Sequence, residues 1–151
     1  MPSEAIEATT EGTAPPSLYL AWVIAAVGTA MSLFFGEVMG LPPCTLCWYQ
    51  RICLYPLVVL LAVGIVRRDD GVVGYALPLV IAGLAIAIYH NLVYYGVIPE
   101  ALTPCSGGVS CREVQIEWLG FITIPMMALG AFAAQLAILL FHRADTRRSQ
   151  A

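Results

Sequence analysis

The chain of 151 residues contains no lysine, and only 11% of its residues are charged. Seven arginines stand against ten acidic residues, a formal net charge of −3. A nucleic-acid partner would call for a basic patch, so the charge balance argues against that class. Polar surface is scarce too: 60% of the residues are hydrophobic and the mean hydropathy is +0.82, far from the balance of a soluble domain. The first stretch, Met1 to Pro16, has no basic residue and so lacks the positively charged start of a cleaved signal peptide. It is acidic and rich in Thr and Pro, and reads as a disordered tail. The sequence also carries no glycine fingerprint for NAD or flavin.

Long apolar runs fill the rest: Leu18 to Met39, Thr45 to Val66, Val72 to Tyr95 and Leu119 to His142. Each is close to the roughly 20 residues that cross a bilayer as a helix, and the only charges within them are Glu37 and Arg51. Five arginines (Arg67, Arg68, Arg143, Arg147, Arg148) gather in the second loop and the C-terminal stretch, against Arg112 alone in the other two loops. The positive-inside rule counts basic residues and largely ignores acids, so both termini are expected in the cytoplasm. The predicted organisation is a disordered cytoplasmic tail (1–17), a membrane domain (18–142) with outer loops 40–44 and 96–118, and a basic cytoplasmic tail (143–151). Four spans joined by short connections predict an all-α, four-helix up-down bundle. Gly28, Ser32, Gly36 and Gly40 form a small-residue stripe suited to close helix packing. Pro56 and Pro78 are expected to bend the second and third helices.

On this topology Cys44 and Cys47, in "LPPCTLCWYQR", and Cys105 and Cys111, in "PCSGGVSC", all lie toward the outer face. Cys53 falls on the opposite face of its helix from Cys44 and reads as a small packed hydrophobe. Three arrangements suit the four outer thiols: structural disulfides, one zinc site, or exchanging redox pairs. Zinc sites use C-x2-4-C spacing, which Cys44 and Cys47 meet and Cys105 and Cys111 do not. A static bridge suits Cys105–Cys111, where Pro104 and Gly107-Gly108 favour a turn. It suits the first pair less, because so short a ring restrains few unfolded conformations. A helix start, with its unpaired amides, instead favours a thiolate there.

Two polar residues sit at matching depth below the outer surface. Arg51 follows Cys44 and Cys47 at i+7 and i+4, on one helical face. A membrane-embedded arginine is a functional candidate, with snorkelling to the headgroups as its competitor. His90, in "AIYHNLVYYG", is either a bonded core histidine or, with Arg51, the border of a shallow pocket beside Cys47 that a lipophilic electron acceptor would enter from the bilayer. The segment "VQIEWLG" is expected to form a short interfacial helix.

"PCTLCWYQR", "YHNL", "PCSGGVSC" and "WLGFITIPMMAL" together resemble the DsbB/BdbC disulfide-bond formation proteins, in their short BdbC-like branch, over nearly all of Leu18 to His142. The resemblance implies a thiol:quinone oxidoreductase of the bacterial inner membrane. It would reoxidise an extracytoplasmic thioredoxin-like thiol oxidase of the DsbA/BdbD type and pass electrons to ubiquinone or menaquinone. By position it implies catalytic roles for Cys44, Cys47, Cys105 and Cys111: Cys105 attacked by the partner, Cys111 attacking Cys44, and Cys47 facing the quinone. Arg51 and His90 would border the quinone with Cys47. From another class, a small four-helix transporter or an assembly protein with structural disulfides shares the length and span count. A transporter needs an ionisable group deep in a span, and Glu37 and Arg51 both lie near outer ends.

Overall fold

The computed structural model describes residues 15–107, 109–112, 117–118 and 122–150. Four long helices dominate: α1 (Pro16–Leu33), α2 (Thr45–Arg67), α3 (Val72–Tyr94) and α4 (Ile124–Gln150). All four are long and apolar enough to cross a membrane. α1 continues as one π-helical stretch, Phe34–Val38. Two short 3-10 turns, Glu100–Leu102 and Pro104–Gly107, follow α3. The strands β1 (Glu117–Trp118) and β2 (Ile122–Thr123) pair antiparallel just before α4.

Local chemistry explains the helix ends. The α1 end turns through Gly40, whose φ of +65° suits a residue without Cβ. Met39 and Leu41 donate their amides back to the carbonyls of Phe34 and Phe35. α2 starts at Cys44, an N-cap in extended conformation, and ends on Arg68 in the left-handed region. In the tight connection to α3, the Asp69 carboxylate accepts the Gly71 amide at 2.8 Å. Pro125 lies in the first turn of α4, where a missing N–H costs nothing. α2 and α3 continue unbroken through Pro56 and Pro78.

The core is a stripe of small and branched residues along the bundle axis. Ala21 and Ala25 of α1 meet Leu57 and Leu61 of α2, Ala76 and Val80 of α3, and Phe132 and Leu139 of α4. Cys53 belongs to this core, as expected of a small hydrophobe. Phe132 lies so close over Gly83 that any Cβ there would overlap its ring. Outward-facing side chains stay apolar, Val59, Val66 and Tyr75 among them, which lipid explains and water does not.

Three expectations need correction. The fourth helix begins at Ile124, not Leu119, because Ile122 and Thr123 are drawn into the β-pair. Glu117 and Trp118, expected in an interfacial helix, form β1; Val114 to Ile116, Leu119 and Gly120 lie outside the described residues. Of the small-residue stripe, Gly28, Ser32 and Gly36 meet α2, at Leu54, Tyr55 and Arg51, while Gly40 serves the turn. Beyond the expected span, α4 continues in helix through Arg147 and Arg148, cations that suit a helix C-terminus.

The connectivity gathers the α1–α2 and α3–α4 connections at one end of the bundle. At the other end Ser17 Oγ lies 2.9 Å from His142 Nδ1, and His142 Nε2 lies 3.3 Å from Asp70 Oδ1. That trio ties the start of α1, the α2–α3 turn and α4 together.

Candidate functional site

Cys44, Cys47, Cys105 and Cys111 all lie at the first of these ends. Cys44 caps α2: its Sγ accepts the Cys47 amide at 3.4 Å. The two sulfurs stand 2.9 Å apart as thiols. Behind Cys44, His90 Nε2 lies 3.7 Å from the same sulfur. The neighbouring Cys47 thiol first, and the His90 imidazole after it, pull the Cys44 thiol down to about 4 against the opposing effect of burial. A helix N-terminus acts in the same direction.

Cys105 and Cys111 are joined in a disulfide, their Cα atoms 5.8 Å apart. Glu100 organises this loop. Its Oε1 accepts the Cys111 amide at 2.8 Å and its Oε2 accepts the Ser110 hydroxyl at 3.1 Å. Its backbone carbonyl accepts the Thr103 hydroxyl at 2.7 Å, and Thr103 Oγ1 in turn accepts the Cys105 amide at 3.4 Å. One acid therefore fixes both ends of the bridge. Thr45, the first residue of α2, donates its hydroxyl to the Pro104 carbonyl at 3.4 Å and clips the loop onto the helix start.

The result is a buried sulfur cluster in which Cys44, Cys105 and Cys111 pack with Leu46 and Val93. The Cys44 and Cys111 sulfurs and a ring nitrogen of His90 lie within 4.8 Å of one another. With Cys111 committed to the disulfide, this trio offers one thiol and one imidazole, short of the four ligands of a structural zinc site. Its geometry suits thiol–disulfide exchange, which needs a thiolate close to a disulfide sulfur.

Cys47 faces elsewhere. It lines a cleft of about 200 Å³ between α1, α2 and α4, walled by apolar side chains such as Met31, Phe35, Met127 and Phe132. A cavity of about 150 Å³ holds a benzene ring, so this volume takes the head of a single-ring or compact fused-ring ligand. Its polar lining includes Arg51 and Gln50. Arg51 donates from Nη2 to the Ser32 carbonyl at 2.9 Å and lies over the Trp48 ring at 5.3 Å. Gly36 makes this possible, since a Cβ there would stand 3.0 Å from Nη2. Arg51 is thus fixed between two helices, where a snorkelling side chain would reach for headgroups.

The structure brings Cys44, Cys111 and His90 together on one side of the α2 start, and Cys47 and Arg51 on the other. His90 is buried at 2% exposure against Cys44 and is not among the cleft-lining residues. Glu37 is exposed at the end of α1. Two residues escaped the sequence reading. Glu100 gave no signal, being one acid in a loop of Pro and Gly. Gln50 was accessible to reasoning: it follows Cys47 at i+3 and so shares its helical face.

The profile described as "Disulfide bond formation protein DsbB" matches residues 15–142. The chain is 42% identical over 130 residues to a "Probable disulfide formation protein" of Metapseudomonas resinovorans, covering 85% of this chain and 90% of that one. It is 44% identical over 115 residues to "Disulfide bond formation protein C" of Bacillus subtilis (strain 168), covering 76% and 83%. A "Probable disulfide formation protein" of Chlamydia trachomatis is 43% identical over 123 residues, covering 82% and 89%. No solved structure matches.

Proposed function

Because this chain belongs to the DsbB family of disulfide bond formation proteins, we propose that it is a multi-pass thiol:quinone oxidoreductase of a bacterial cytoplasmic membrane. Both termini lie inside, and both cysteine pairs face the oxidising side. Its electron donor is a thioredoxin-like thiol oxidase of the DsbA/BdbD type. The observation that carries the reading is the split of one CxxC: Cys44 lies against the loop disulfide, and Cys47 lines the apolar cleft.

The exchange runs in four balanced steps. The partner's thiolate attacks Cys105 Sγ, forms a mixed disulfide and releases Cys111 as thiolate. Cys111 attacks Cys44 in the oxidised Cys44–Cys47 pair, and Cys47 leaves as thiolate into the cleft. The partner's second thiol resolves its own mixed disulfide and releases Cys105. Cys105 then attacks Cys111, restoring the loop disulfide and expelling Cys44. A low thiol pKa makes Cys44 a fast leaving group in that last step. The arrangement described above, with Cys105–Cys111 bonded and Cys44 and Cys47 as thiols, is the product of this sequence. Cys105 is buried at 2% exposure, so the partner's attack requires the loop to lift from α2, breaking the Thr45–Pro104 clip.

A quinone bound in the cleft would supply a two-electron, two-proton acceptor, which the return of Cys44 and Cys47 to the disulfide requires. Apolar walls, a thiol and a fixed guanidinium suit such a ring. Cys47 and Arg51 would hold its head, Arg51 balancing negative charge on an oxygen. His90, against Cys44, keeps that thiol ionised when it is expelled. The test is anaerobic quinone reduction by the purified protein with a reduced thioredoxin-like partner. Cys47→Ser is expected to abolish it; turnover equal to wild type would overturn the electron path.

A further inference from the structure

Gln50 is buried at 6% exposure, lines the same cleft as Cys47 and Arg51, and leaves its Nε2 without a hydrogen-bond partner. A buried amide donor left unpaired costs stability, and the other buried carboxamide near this end of the bundle is satisfied. The carboxamide of Asn91, on α3, donates from Nδ2 to both the Ala87 and Pro125 carbonyls, at 2.8 and 2.9 Å. Arg51, one residue on, is already tied to the Ser32 carbonyl. Gln50 therefore contributes an unused neutral donor on the helical face that carries the cleft thiol.

We propose that Gln50 is a ligand-binding residue of the cleft, its Nε2 donating to a carbonyl oxygen of the bound acceptor. This inference rests on the quinone reading above and adds a specificity to it: the cleft distinguishes rings bearing a carbonyl oxygen from rings of the same shape without one. Being uncharged, the amide does so without placing a second cation beside Arg51. The donor acts in binding, before any electron moves.

The test uses the full-length protein in nanodiscs freed of endogenous quinone, with both cysteine pairs oxidised so that no electron is available. Binding of a short-tailed benzoquinone, and in parallel a short-tailed naphthoquinone, is measured by titration. An alkylated naphthalene without carbonyl oxygens serves as the control ligand. Gln50→Met keeps the length of the side chain and removes the donor. It is expected to raise the Kd for the better-bound quinone about tenfold, the scale of one lost neutral hydrogen bond, and to leave the naphthalene Kd unchanged. The infrared carbonyl stretch of the bound quinone is expected to move to higher frequency in the variant. Gln50→Leu, with thermal unfolding followed alongside, provides the same comparison if the Met variant fails to fold. Equal quinone affinity and an unmoved carbonyl band in a folded variant would overturn the proposal, as would an equal loss for quinone and naphthalene. Failure of the wild-type protein to bind either quinone would instead overturn the quinone reading, and this inference with it.

Discussion

The two cysteine pairs sit at the same end of the bundle and are built on opposite plans. Cys44 and Cys47 are seated on the first turn of a long helix, where the backbone itself supplies the amide that Cys44 accepts. Among the described residues, Cys105 and Cys111 have no regular element beneath them beyond a 3-10 turn, and their loop is held by side chains, Glu100 and Thr103 above all. A helix fixes a sulfur's position and its electrostatics together. A loop fixes position only while its side-chain clasps hold, and it releases when they open. Under the proposed function, the pair that would meet a lipid-soluble ligand is the rigid one, and the pair that would meet a protein is the releasable one.

The largest break in this comparison comes from removing the sulfur that connects the plans. Cys111→Ser is expected to abolish partner-driven quinone reduction and to leave quinone binding intact, as read by stopped-flow reduction beside equilibrium titration. Next comes Arg51→Ala, which loosens the rigid side. Apparent quinone affinity is expected to fall about tenfold, the scale of a charge-assisted hydrogen bond, with partner oxidation in a single turnover little changed. Unaltered affinity would make Arg51 an anchor between helices and nothing more.

The releasable side is probed by Glu100→Gln, which keeps the shape and removes the charge from the bond to the Cys111 amide. Electron transfer from the loop pair to Cys44 is expected to slow about threefold to tenfold, for a loss near 1 kcal/mol, while Kd for quinone stays put. The pH dependence sharpens the contrast. Cys44 in the reduced protein has its thiol lowered to about 4, below the usual value near 8.5. Its thiolate is therefore present across neutral pH, and the stability that this contributes to the reduced fold, complete above about pH 8.5, is lost progressively as pH falls from there to about 4. Alkylation of Cys44, followed by mass spectrometry in a Cys47→Ser, His90→Ala background against Cys47→Ser alone, is expected to need higher pH once the imidazole is gone. The smallest effect belongs to Gly36→Ala. The guanidinium it crowds can shift by a few tenths of an ångström, so quinone affinity should drop about twofold.

The four spans were legible because lipid demands unbroken apolar length, and apolar length is visible in sequence. So were the thiols, whose spacing and shared side follow from the order of the spans. What escaped notice lies where hydropathy is blind. Leu119 to Thr123 is as apolar as the helix after it, yet Ile122 and Thr123 are β-branched residues that pair with β1. Helical depth put His90 level with Arg51, but depth says nothing about which side of a neighbouring helix a side chain meets, and His90 meets Cys44. Glu100 reaches Cys111 from eleven residues away through a loop, a contact that no periodicity announces. The π-helical end of α1 likewise has no sequence mark of its own.

The division of Cys44 from Cys47 has a consequence for selectivity in the cell. One thiol looks toward the loop disulfide and its neighbour toward the apolar cleft, with the first turn of α2 as the partition. Under the proposed function, small reductants in the extracytoplasmic fluid have no direct path to the oxidant dissolved in the bilayer. They would have to discharge it through the same gated loop as the cognate donor. On that reading the turn would behave as a fuse in a circuit: it would pass pairs of electrons from a recognised source and insulate the membrane's oxidising power from every other.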